Sequence, residues 1–197
     1  MTTNKFFSLA ATAMLIALVL VLTVTGLGYI PVGLFTLTVL TLPVAVGAVA
    51  LGPTSGVILG LAFGLTSFYT CFTTDILGMK LVDESVVLTG IMCIVPRVLC
   101  GLLPALLFRL LRRWDKNDLW APAVSCAATA ICNTLFFLST MWWFFSDVLL
   151  SEEGVPSIWM LFVLFAGINA LVEIGVNFFA GGAISKVLLA FKKRMHV

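Results

Sequence analysis

The chain has 197 residues, of which 61% are hydrophobic and 10% charged, with a mean hydropathy of +1.18, more apolar surface than a water-soluble domain of this size can bury. A net charge of +2, with its bases gathered in short clusters that read as topology signals or lipid-headgroup contacts, gives no reason to invoke nucleic acid. The chain is therefore read as an all-α integral membrane protein.

A helix needs ~20 predominantly apolar residues to cross the hydrocarbon. Six stretches of that order follow one another: Phe6–Gly26, Leu34–Leu51, Ser55–Thr74, Ser85–Leu110, Leu119–Phe145 and Ile158–Leu189. They are read as the spans of one transmembrane domain covering residues 1–197. The first is too long for a signal-peptide core and no distinct cleavage region follows it, so it is expected to be retained. It carries small residues, Ala13 and Ala17, in "SLAATAMLIAL". A glycine-rich loop, "GLGYIPVG", then leads into a second span whose start is hydroxylated by Thr36, Thr38 and Thr41. The next connection, "LGPTSG", is a tight turn in which Gly52-Pro53 breaks the helix and Thr54 or Ser55 can cap the following one. Gly56, Gly60 and Gly64 form a stripe along the third span that lets another backbone approach, expected to pack spans 2 and 3 together.

Longer polar loops, 75–85 and 146–157, are flanked by Tyr69, Trp142, Trp143 and Trp159, which suit an interfacial belt. Trp142 and Trp143 point roughly 100° apart on a helix, so one can face lipid while the other turns inward. The bases fall almost wholly on one side: Lys5, then Arg109, Arg112, Arg113 and Lys116, then Lys186, Lys192, Lys193 and Arg194. By the positive-inside rule both termini are cytoplasmic.

The chain offers little to an enzyme. Its sole histidine is His196, and there is no P-loop motif, so nucleotide hydrolysis would have to come from a partner. Five cysteines, Cys71, Cys93, Cys100, Cys126 and Cys132, lack metal-ligand spacing and read as core residues. No metal or cofactor is expected.

Ionisable groups inside spans are the sharpest signal, because a charge at the bilayer centre costs at least ~2.5 to 3.5 kcal/mol and persists only against protein or water. Arg97 lies about 12 residues into span 4 and Glu173 about 15 into span 6, roughly 18 and 22 Å deep at 1.5 Å per residue. Asn169 and Asn177 share the face of Glu173 by i, i+4 spacing, and Asn133 reaches similar depth in span 5. This cluster is either a structural Arg97-Glu173 pair, as in a membrane scaffold or an ion-coupled carrier, or the floor of an outward-opening pocket for a small polar solute. Pro96 fits both, since a proline frees a carbonyl in the preceding turn.

The six-span plan, "AATAMLIAL", "LFTLTVLTLPVAVGAVALGPTSGVILGLAFGLTSF", "IVPRVLCGLLPALLFR" and "INALVEIGVNFFAGGAISKVL" together resemble the substrate-binding S component of energy-coupling factor (ECF) vitamin transporters, over nearly the whole chain. The resemblance implies a multi-pass subunit of a prokaryotic plasma membrane that captures a micronutrient from outside. It further implies a transmembrane T component and two cytoplasmic ATPases as partners. Ala13 and Ala17 match the small residues that face the T component. The ligand regions of related S components correspond to Tyr29, Arg97, Asn133, Trp143, Asn169 and Glu173. Spans 2 and 3 look most like pantothenate-type members, and a lone arginine suits a carboxylate; riboflavin, a queuosine precursor and a cobalamin-type ligand stay open.

Overall fold

An apolar chain in lipid must satisfy its backbone internally, which leaves the helix as the economical form for each long apolar run. The structure, a computed structural model, describes residues 2–32, 35–115, 117–151 and 168–194. In order come α1 (Thr2–Val24), β1 (Tyr29–Val32), β2 (Phe35–Thr38), α2 (Thr41–Val46) running into a π-helical turn (Gly47–Leu51), α3 (Pro53–Thr70) and α4 (Ile76–Glu84). They are followed by α5 (Val86–Leu111), α6 (Ala121–Ser151), α7 (Ile168–Val176), a second π turn (Asn177–Gly181) and α8 (Gly182–Arg194). Among the described residues four segments are long and apolar enough to cross a membrane: Phe6–Val24, Val86–Leu111, Ala121–Ser146 and Asn169–Arg194. Lys116, His196, Trp159 and the start of the sixth expected span lie outside the described residues.

Two expected elements differ. Residues 35–38 are not helix: β2 pairs antiparallel with β1, from Tyr29 opposite Thr38 to Val32 opposite Phe35. Alternating Thr36 and Thr38 favour an extended chain, and Pro31 carries no N–H for a helix to use. The apolar helix that follows, Thr41–Leu51, is about 16 Å long at 1.5 Å per residue. The loop expected at 75–85 is instead mostly the helix α4, which buries Leu81. Its end is tied to α5 by Thr89 Oγ1, which donates to the Leu81 carbonyl at 2.8 Å, while Ser85 Oγ caps α5 by accepting from Leu88 N at 3.4 Å.

The glycine stripe has a different partner from the one expected. It faces chiefly α5, and meets span 2 only at Gly56, where an added methyl group would come within 3.0 Å of Ala48 Cβ in the π turn. A methyl group at Gly56 would strike the Gly101 carbonyl, one at Gly60 the Arg97 carbonyl, and one at Gly64 would come within 2.9 Å of Ile94 Cα. Gly101 meets Gly56 in return, so the two backbones touch where neither has a side chain. The turn into α3 works because Gly52 takes φ +107°, open only to glycine at low cost, and Pro53 occupies the first helical turn.

Three buried clusters follow from this packing. Val19, Leu40, Val44, Leu59 and Phe63 lie beneath the hairpin. Cys71, Leu81, Met92, Cys93 and Phe145 join α3 to α6 around α4 and α5. Val49, Phe108, Ala121, Cys126 and Leu189 hold the opposite end. There Asp118, at φ 53°, pairs with Arg112 at 3.0 Å and Lys193 at 2.7 Å, so the basic clusters after α5 and in α8 share one end. All five cysteines are free thiols and four are buried. Helix α1 turns Thr12 and Val19 inward, with Thr12 Oγ1 donating to Ser55 Oγ at 2.9 Å, and leaves Ala13 and Ala17 exposed on its other face.

The stripe gives a direct test. Gly60→Ala pushes a methyl group into the Arg97 backbone and should destabilise the protein by ~1 to 3 kcal/mol, read as a lower thermal midpoint in detergent. Gly175→Ala, where an added methyl group meets nothing within 4 Å, should cost nothing measurable. Equal midpoints for the two variants would show that α3 and α5 are not in backbone contact.

Candidate functional site

Arg97 is 6% exposed in the middle of α5. One residue earlier, Pro96 has no N–H, so the carbonyl four residues before it, that of Met92, is released from the helix ladder. Arg97 Nη1 donates to that carbonyl at 3.1 Å. Two rings complete the housing: the guanidinium carbon is 4.1 Å from the Phe137 centroid and 5.4 Å from that of Phe63. Such cation-π contacts contribute about 0.5 to 2 kcal/mol each where water is excluded. Nε is buried with no hydrogen-bond partner.

Glu173, 7% exposed on α7, uses Oε1 to accept from the backbone N–H of Thr38 in β2 at 2.8 Å. A second tie lies one turn on, where Asn177 Nδ2 donates to Thr41 Oγ1 at 3.0 Å and to the Glu173 carbonyl at 2.9 Å. Thus the carboxylate and the amide of the last long helix hold the hairpin and the start of α2. The π turn begins at Asn177, a distortion often found where a helix re-aims functional side chains. Asn133 of α6 neighbours Glu173 and is 7% exposed, its Oδ1 accepting from Cys100 Sγ at 3.9 Å. The Tyr29 hydroxyl, beside Thr66 and Ser67 and within electrostatic range of Arg97, makes no hydrogen bond of acceptable geometry.

The site residues expected from sequence separate accordingly. Tyr29, Arg97, Asn133 and Glu173 come together, and Asn169 is half-buried one turn before Glu173. Trp143 does not join them: it is 83% exposed, and its neighbour Trp142 is the half-buried member of the pair. The Arg97-Glu173 strut, one of the two readings of the cluster, is not formed as a direct pair. Among the described residues no ion pair within 4.0 Å links them: Arg97 Nη1 is engaged by the Met92 carbonyl and Glu173 Oε1 by the Thr38 N–H. Phe63, Phe137 and the backbone of Thr38 were not singled out from sequence. Only the freed carbonyl, read from the proline, pointed to any of Arg97's contacts.

Among the described residues, four buried polar atoms in this region lack a partner: Tyr29 Oη, Arg97 Nε, Glu173 Oε2 and Asn177 Oδ1. Leaving one such group unmade costs ~1 to 3 kcal/mol, so four together are expensive unless a solute uses them. The chemistry is two-sided. Tyr29 and Arg97 offer donors, matching a carboxylate, while Glu173 and Asn177 offer acceptors, matching hydroxyl or amide N–H groups.

Residues 7–180 match the family model described as ECF transporter, substrate-specific component. The chain is also similar to the pantothenic acid transporter PanT of Lactococcus lactis subsp. cremoris (strain MG1363), 32% identical over 121 residues. That match covers 57% of this chain and 59% of the relative.

The Glu173 contact predicts how the hairpin behaves. Glu173→Ala removes the acceptor of the Thr38 N–H; a hydrogen bond to a charged group is worth ~1.5 to 3 kcal/mol. Amide exchange over 29–38 should quicken roughly ten- to a hundredfold, with the helices unaffected. Unchanged exchange would mean that other contacts hold the hairpin down.

Proposed function

The chain belongs to the family of ECF transporter substrate-specific components, and from that premise we propose that it captures pantothenate from outside the cell. The buried site between the hairpin and helices α5 to α7 receives the solute. The observation that carries this reading is the set of four unpartnered polar atoms, two donors and two acceptors, gathered under one hairpin. Pantothenate has a carboxylate at one end and an amide and two hydroxyls along its length, a matching complement. The name of the Lactococcus lactis relative supports the same solute. In this reading Arg97 and Tyr29 take the carboxylate, Glu173 with Asn133, Asn169 and Asn177 takes the polar chain, and Phe63 and Phe137 fix the guanidinium plane.

The chain crosses a prokaryotic plasma membrane six times with both termini inside, as one transmembrane unit over 1–197. The shared end of the two basic clusters supports this orientation. The chain binds and does not hydrolyse; a T component and two ATPases supply the energy. The exposed Ala13 and Ala17, on a helix that is mostly exposed, offer the T component a close-packing face. The scaffold or carrier reading rested on an Arg97-Glu173 pair, and Glu173 Oε1 accepts from the Thr38 N–H instead.

Arg97→Lys keeps the charge but loses the planar donor fork, so pantothenate affinity should fall by about one to two orders of magnitude in calorimetric titration. An unchanged affinity would remove Arg97 from recognition. Ala13→Trp or Ala17→Trp should lower uptake by the full complex and leave binding to the isolated chain intact. Uptake driven by an ion gradient in vesicles holding this chain alone would place it among carriers instead.

A further inference from the structure

At the end of the bundle away from the hairpin lies a crevice of about 300 Å³ that the capture of solute does not use. Its rim carries four cations, Arg109 and Arg112 from α5 and its end, and Lys192 and Lys193 from α8. Among the described residues one carboxylate serves them: Asp118 accepts from Arg112 and from Lys193. The neighbouring Asp115 is committed elsewhere, its Oδ2 accepting from the backbone N–H groups of Trp120 at 2.7 Å and Ala121 at 2.8 Å. Among the described residues Arg109 and Lys192 have no acidic partner, and Lys192 Nζ reaches only the Ala50 carbonyl at 3.3 Å. The inner wall is apolar, formed by Leu51, Phe108 and Leu189.

The level of the crevice is marked by tryptophan. Trp114 and Trp120, 71% and 44% exposed, sit in the same connection as Asp118, where indole rings prefer the headgroup layer. A cation-rich rim at that depth, backed by an apolar wall, suits a ligand with phosphate at one end and hydrocarbon at the other. We infer that this crevice binds the phosphate of an anionic phospholipid, with Arg109 and Lys192 as the principal contacts and the apolar wall against the first carbons of an acyl chain. The shared chemistry is phosphate; the belt and the wall favour the lipid over a soluble source.

The test uses the full chain, purified in a zwitterionic detergent, with thermal unfolding followed as phosphatidylglycerol, phosphatidylcholine, glycerophosphate or inorganic phosphate is added at constant ionic strength. Phosphatidylglycerol should raise the midpoint saturably, and the other three should not. For R109Q/K192Q the half-saturating lipid fraction should rise roughly tenfold or more, as expected on losing charged hydrogen bonds. K186Q, which removes an exposed cation of α8 outside the crevice, should respond as the parent does. Where R109Q/K192Q fails to fold, R109Q alone carries the comparison, because that side chain makes no ion pair among the described residues. An unshifted response in the variants, or no response in the parent, overturns the site. Equal stabilisation by inorganic phosphate overturns the lipid assignment.

Discussion

A guanidinium carried into hydrocarbon must find hydrogen bonds inside the protein, and α5 supplies one by giving up another. Pro96 cannot donate to Met92, so the carbonyl that would close the helix turn is left for the residue next along the chain, Arg97. The charge is housed by its own helix. Glu173 is then not drawn into a direct ion pair, and its carboxylate binds the Thr38 N–H. The remainder of the site depends on that separation: a direct salt bridge would satisfy both charges and leave neither group for a solute.

The helix packing holds the housing in place. Gly56, Gly60 and Gly64 bring α3 onto the backbone of α5, and Gly60 meets it at Arg97 itself. That approach sets the Phe63 ring centre 5.4 Å from the guanidinium carbon, while α6 brings that of Phe137 to 4.1 Å from the same carbon. On the other side, Glu173 and Asn177 tie the last long helix to the hairpin and to Thr41. The hairpin is therefore fastened through polar contacts to the same groups that a solute would engage, so binding and closure share their hydrogen bonds. The helix below it, Thr41–Leu51, runs from the site to the basic crevice.

Much of the site was legible because charge in a membrane is conspicuous. Arg97, Glu173 and the asparagines at i, i+4 spacing stand out against apolar neighbours, and glycines every fourth residue announce a close backbone approach. Where most of the stripe packs was not legible, since spacing gives a face and not a partner; span 2 meets it only at Ala48, and α5 takes the rest because Gly101 answers Gly56. Nor could sequence choose Phe63 and Phe137 from sixteen phenylalanines. The hairpin was hidden because Phe35–Thr38 is apolar enough to extend the following helix, and strand pairing with Tyr29–Val32 is a nonlocal fact. Trp143 misled for a simpler reason: two adjacent tryptophans fix one inward and one outward side chain without saying which.

The most direct measurement is the mass of the small molecule released when the purified protein is denatured, made in parallel on the parent chain and on Arg97→Met after exposure to the same mixture of vitamins. Release of pantothenate in near-stoichiometric amount from the parent, and little from the variant despite intact folding, is the result expected if the unpartnered atoms around Arg97 bind solute. Release of the same molecule in the same amount from both would contradict it, because the charge housed by Pro96 would then have no part in recognition.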